Sequence, residues 1–131
     1  MARPRHEHPT PGELEILRVV WDHGPCTVRQ VMDVANRARR RAYTTVMSLM
    51  NTMTDKGLLD RKPQGRAFVY ATTATREKTL SSLVGDLLGR AFDGSASAMV
   101  AHLLEGTDPS GDELEEIHRT IATYRDRLGD R

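Results

Sequence analysis

The sequence predicts a mainly α protein in two parts: three helices closed by a β-hairpin, then an all-helical second half. Three observations predict this. Helix-capping signals each open an apolar 3.6-residue period, one stretch alternates with period two around a Pro-Gln-Gly-Arg turn, and apolar helical spacing fills the rest of the chain. With 131 residues and 38% apolar content, the chain can build one moderate core or a small domain with an appendage.

Thr10-Pro11-Gly12-Glu13 places a Thr cap, a Pro in the first helical turn and a Glu three residues after the cap, and Leu14, Leu17, Val20 and Trp21 follow at helical spacing. The Thr hydroxyl and the Glu carboxylate each satisfy an orphan N–H, so a helix starts here. His23-Gly24-Pro25 should stop it, because Gly takes the left-handed cap conformation and Pro cannot continue the ladder. Thr27-Val28-Arg29-Gln30 repeats the capping box and opens a short helix with Val28, Val31, Met32 and Ala35 inward, loosening at Asn36. The basic run Arg39-Arg40-Arg41 then feeds a third helix ending at Lys56-Gly57. Val46, Leu49, Met50 and Met53 share its inner stripe, while Thr44, Ser48, Asn51 and Asp55 lie opposite. Leu58 to Lys62 and Ala67 to Ala71 read as two short strands around Pro63-Gln64-Gly65-Arg66. Three helices followed by a hairpin with a basic tip is the order of a winged helix-turn-helix.

In the second half, Leu80, Leu83, Val84, Leu87, Leu88, Ala91 and Phe92 form one wide apolar stripe, broken at Asp93-Gly94-Ser95. Ala96, Met99, Val100, Leu103 and Leu104 resume it, and a third capping signal at Ser110 to Glu113 precedes Leu114, Ile117, Ile121, Tyr124 and Leu128. Helices of a segment of about 55 residues cannot cover such stripes alone. The cover is either the winged helix of the same chain or the same helices of a second chain. An identical partner is the more economical, so a homodimer is expected through Leu80, Leu83, Leu87, Met99, Leu103, Leu114, Ile117, Ile121 and Tyr124. The expected organisation is an N-terminal arm over 1–9, a winged helix over 10–72 and a helical dimerisation domain over 73–131.

Charge separates the two halves. Residues 1–72 carry 12 Lys plus Arg against 7 acids, or +5, and residues 73–131 carry 7 against 11, or −4. A polyanion should therefore meet the first half only. The third helix offers it short hydroxyls in place of long charged chains, which suits hydrogen bonding to base edges in a DNA major groove. Arg41, Tyr43, Thr44, Thr45 and Ser48 are the expected base contacts, because the N-terminal part of such a helix enters the groove most deeply. Arg29, Arg39, Arg40, Lys62 and Arg66 are the expected phosphate contacts, the last two from the hairpin. Asp55 would be repelled by phosphate, so the contact surface should end before it.

Other classes find little support. One Trp, three Tyr and two Phe are too few for a single-strand stacking platform. Cys26 alone permits neither an intrachain disulfide nor a cysteine-cluster metal site, and its lone thiol at a helix start is read as a packing residue or an oxidant sensor. His6 and His8 lie in a Pro-rich terminus without helical His pairing, so no metal and no cofactor is expected. No nucleophile triad, paired-carboxylate site or phosphate loop appears in its required context, so no enzyme is expected. No apolar run reaches a membrane span, and the expected setting is the reducing cytosol.

With these elements placed, the chain resembles the BlaI/MecI family of penicillinase and methicillin-resistance repressors, which includes the copper-responsive CopY repressors. The matching pieces are Glu13-Leu14-Glu15-Ile16-Leu17 with Val20-Trp21, Cys26-Thr27-Val28-Arg29-Gln30-Val31, Ala42-Tyr43-Thr44-Thr45-Val46-Met47, Lys56-Gly57-Leu58-Leu59, and Tyr70. Tyr-Thr-Thr-Val-Met is the most distinctive. The resemblance implies a homodimeric winged-helix repressor on a pseudo-palindromic operator in double-stranded DNA, controlling genes of β-lactam-resistance or cell-envelope type and displaced by an inducing signal. It implies a membrane sensor protease as a further partner, cutting where this chain has His102-Leu103 in place of the family's Asn-Phe pair. The paired Cys-x-Cys motifs of the copper branch are absent. The alternatives are a winged-helix adaptor that docks other proteins and shows no operator preference, and a regulator that senses a ligand or metal.

Overall fold

The computed structural model describes residues 8–129. The expected arm over 1–9 lies outside the described residues except for His8 and Pro9, and so does His6. The elements are α1 (Pro11–His23), α2 (Val28–Ala35), α3 (Tyr43–Asp55), β1 (Leu59–Gln64), β2 (Ala67–Thr72), α4 (Arg76–Ala91), α5 (Ala96–Thr107) and α6 (Gly111–Gly129). This is the mainly α architecture expected, three helices and a hairpin wing followed by three further helices.

The first two capping boxes form as read. Thr10 accepts from the Glu13 amide while Glu13 accepts from the Thr10 amide, and Thr27 and Gln30 repeat the exchange at α2. Gly24, with φ of 82°, ends α1 in a conformation that an L side chain rarely adopts. The core collects Ile16 and Val20 from α1, Val31 from α2, Val46, Met50 and Met53 from α3, Leu59 from β1 and Tyr70 from β2, all at most 3% exposed. Each such side chain contributes about 1.5–3 kcal/mol by leaving water, so α3 is seated chiefly through three of its own residues.

The hairpin runs longer than the sequence suggested, and β1 takes in Pro63 and Gln64. A Pro is tolerated because the sheet has only two strands and β1 can spare a donor. Register pairs Leu59 with Thr72, Arg61 with Tyr70, Lys62 with Val69 and Gln64 with Ala67, leaving Gly65-Arg66 as a two-residue turn with Gly65 at φ of 62°. Positive φ at the first turn position matches the twist a tight hairpin needs. A short bridge, Cys26 N–H to Tyr70 O at 3.0 Å and Tyr70 N–H to Cys26 O at 2.8 Å, ties β2 to the segment before α2. The wing is thereby anchored at its middle.

The chain divides into two compact units, the first running to Val84 and the second starting at Gly85, inside α4. The first reaches past residue 72 because Trp21 Nε1 donates to the Ala74 carbonyl at 3.1 Å, and because the Arg76 guanidinium lies over the Trp21 ring and bonds Asp22. That guanidinium holds the Asp22 carboxyl below its ordinary pKa. In the second unit the Phe92 ring meets the His102 ring edge-on at 5.8 Å. No residue of α4, α5 or α6 is buried. Leu80, Leu87, Leu103, Leu114, Ile121 and Tyr124 are 40–54% exposed, and Leu83, Met99 and Ile117 are half-buried. Among the described residues no helix is long and apolar enough to cross a membrane.

Candidate nucleic-acid interface

The outer surface of α3 is short and polar because its apolar residues are spent on the core. Thr44, Thr45 and Ser48 are exposed, and Thr52, one turn beyond Ser48, extends the same hydroxyl surface. Thr52 was missed by the sequence reading, although it lies four residues from Ser48 and eight from Thr44 on the polar stripe. Tyr43 is exposed but sits on the flank of the helix, where the Arg29 guanidinium lies 5.3 Å from its ring centroid. No side chain caps α3 at Ala42, so the partial positive charge of its N-terminus stays available next to Arg39 and Arg40, both exposed.

Arg41 does not join them. Its Nη2 donates to Glu15 Oε2 at 2.6 Å and its side chain is only 11% exposed, while Asn36 accepts from its amide N–H at 2.9 Å and donates to its carbonyl at 3.3 Å. The expectation that Arg41 contacts bases is corrected accordingly, because the guanidinium is turned into the fold. At the other end of α3, the buried Glu13 carboxylate accepts from Lys56 Nζ at 2.8 Å. Two carboxylates on the first turns of α1 thus hold the segments flanking α3, which fixes its axis on the molecule.

The wing carries a second correction. Leu59 is fully buried, so side-chain alternation turns Arg61 toward α3 and Lys62 to the outer face of the hairpin. Lys62 lines that outer face with Pro25, Asp60, Pro63, Val69 and Ala71, away from α3 and mid-strand, and not at the tip beside it. Arg66 does lie at the tip and is exposed. Arg61, missed by the sequence reading, donates from Nη1 to Asn51 Oδ1 at 2.9 Å, and its guanidinium carbon lies 4.5 Å from the Phe68 ring centroid. Asn51 Oδ1 also accepts from the Tyr70 hydroxyl at 2.8 Å. Asn51 Oδ1 therefore joins α3 to both strands of the wing.

An uncharged hydroxyl surface on a rigidly seated helix, flanked by guanidiniums from α2, the α2–α3 loop and a wing, defines a winged-helix DNA-binding protein. Comparison with known proteins carries this further. The chain belongs to the penicillinase repressor family, whose model matches residues 9–123, and it is a DNA-binding transcriptional repressor. It is 34% identical over 126 residues to the transcriptional regulator BlaI of Mycobacterium tuberculosis, covering 92% of this chain and 88% of that one. To the penicillinase repressor of Bacillus licheniformis it is 24% identical over 116 residues, covering 88% and 91% respectively. Among solved structures, the DNA-binding domain of the repressor BlaI in solution shares the fold with a TM-score of 0.50 and 21% identity, over 57% of this chain and 90% of that one.

Proposed function

We propose that the chain acts as a homodimer that occupies a two-fold symmetric operator, with α3 of each copy in successive major grooves. Thr44, Thr45 and Ser48 read base edges, Tyr43 packs beside them, and Arg29, Arg39, Arg40 and Arg66 contact phosphates. The observation that carries this reading is the exposed, uncharged hydroxyl surface of α3 bordered by exposed arginines. The second copy meets the first through the apolar surfaces of α4–α6, none of whose residues is fully buried among the described residues. Stripes at 40–54% exposure on three consecutive helices are more than isolated surface apolar residues need explaining.

The regulated genes are of β-lactam-resistance or cell-envelope type, the protein works in the cytoplasm, and an inducing signal ends repression. A sensor protease would release it by cutting His102-Leu103. Both residues are exposed on α5, but the peptide lies mid-helix, so cutting requires local unwinding of that turn. Selection from random duplex DNA at about 150 mM salt, where purely electrostatic binding is suppressed, tests the operator reading. Enrichment of one symmetric site supports it, and recovery without sequence preference overturns it in favour of an adaptor role.

A further inference from the structure

One cleft of the first unit lies between α3 and the wing, and its lining includes Arg29, Arg61, Arg66, Met47, Asn51 and Phe68. Among the described residues, three guanidiniums and no carboxylate line it. Arg61 has no ion-pair partner among the described residues, yet it is held in place: Asn51 fixes one nitrogen of its fork and Phe68 supports its plane. Asn51 is in turn fixed by the buried Tyr70, whose backbone is tied to Cys26. A planar cation kept rigid and unneutralised beside a reading helix is preorganised for an external oxyanion, since little side-chain freedom remains to be lost on contact. The apolar surface of Met47 and Phe68 beside it suits a deoxyribose.

We propose that this cleft seats one sugar-phosphate strand of duplex DNA, with Arg61 as the wing's phosphate ligand and Asn51 as the residue that positions it. The proposal rests on the DNA-binding reading and deepens it, because it assigns the wing contact to the inner face of β1 and gives the Asn51 oxygen a positioning role.

The test compares Arg61→Gln with Lys62→Gln in the full chain on its selected duplex. The two remove the same charge from opposite faces of one strand. Arg61→Gln should lower the slope of log affinity against log salt by about one per protomer, and Lys62→Gln should change it much less. Duplexes carrying one neutral methylphosphonate at a time should reveal a phosphate per half-site whose neutralisation weakens the wild type and has no further effect on Arg61→Gln. Asn51→Ala, which keeps the charge, should also lose sensitivity at that phosphate, whereas a merely structural role would lower the melting temperature and leave the pattern intact. Arg61→Lys should retain most of the slope and less of the positional sensitivity. Equal slopes for Arg61→Gln and Lys62→Gln, or an unchanged methylphosphonate pattern in Arg61→Gln, would overturn the proposal while leaving specific binding by the wild type in place. A wild type without a preferred duplex would overturn the DNA reading itself.

Discussion

Arg41, the last residue of the basic run, is joined to Glu15 of α1 at 2.6 Å across 26 positions of sequence, with its side chain 11% exposed. The pair fixes the segment from which α3 springs. Arg41→Met should therefore lower stability by about 2 kcal/mol in urea unfolding, because Glu15 loses its partner beside a partly buried site. DNA affinity should fall while the salt dependence stays near that of the wild type, since no phosphate contact is lost. A drop in salt slope equal to that of Arg40→Ala would show instead that Arg41 reaches the DNA.

Ser48 and Arg40 divide the work of recognition. Ser48→Ala should relax preference at one base position per half-site by about 1–3 kcal/mol, with little change on unrelated DNA. Arg40→Ala should weaken binding to all duplexes alike and reduce the salt slope by about one per protomer. Titrations of cognate and mutated sites at several salt concentrations separate the two effects.

The apolar surface of α5 should be covered by a second copy. Leu103 is 53% exposed in the single chain, so Leu103→Glu costs the monomer little. In a dimer it would place a carboxylate among apolar side chains, weakening association on the order of a hundredfold or more. Sedimentation equilibrium should show a monomer with an unchanged circular dichroism spectrum, and a dimer of wild-type affinity would move the interface elsewhere.

Cys26 is 4% exposed, its Sγ–H donates to the Gly24 carbonyl at 3.0 Å, and burial raises its pKa above the ordinary 9.0. The native thiol should react with iodoacetamide at pH 8 about tenfold or more slower than the urea-unfolded chain. Because the folded value is raised, the stabilisation is complete below the unfolded pKa and is lost as pH climbs through the folded one. Stability should thus decline above about pH 9, and Cys26→Ala should flatten that decline, as urea midpoints across pH 7–10.5 would record.

Local chemistry made much of this fold legible. Thr10 with Glu13 and Thr27 with Gln30 announce their helices because a cap and its return bond lie within one turn. The α3 stripe is equally plain, since Val46, Met50 and Met53 need only helical periodicity. The site was less legible where geometry depends on distant partners. Arg41 reads as one more cation in a basic run until Glu15 is brought to it. Arg61 and Lys62 are indistinguishable in sequence, and only the burial of Leu59 in place of Leu58 decides which faces α3. Asn51 shares the polar stripe of Ser48, yet the wing folds back to claim its oxygen.

The most direct test of sequence-specific, dimeric recognition is a titration of the full chain on its selected duplex and on a scrambled duplex of equal length and composition, from 50 to 200 mM salt. A sequence-specific dimer should show at least a thousandfold preference for the selected site near physiological salt, two chains bound per duplex, and a loss of roughly a thousandfold to a hundred-thousandfold in affinity across that salt range. Equal affinity for the two duplexes, with the same salt slope, would contradict it.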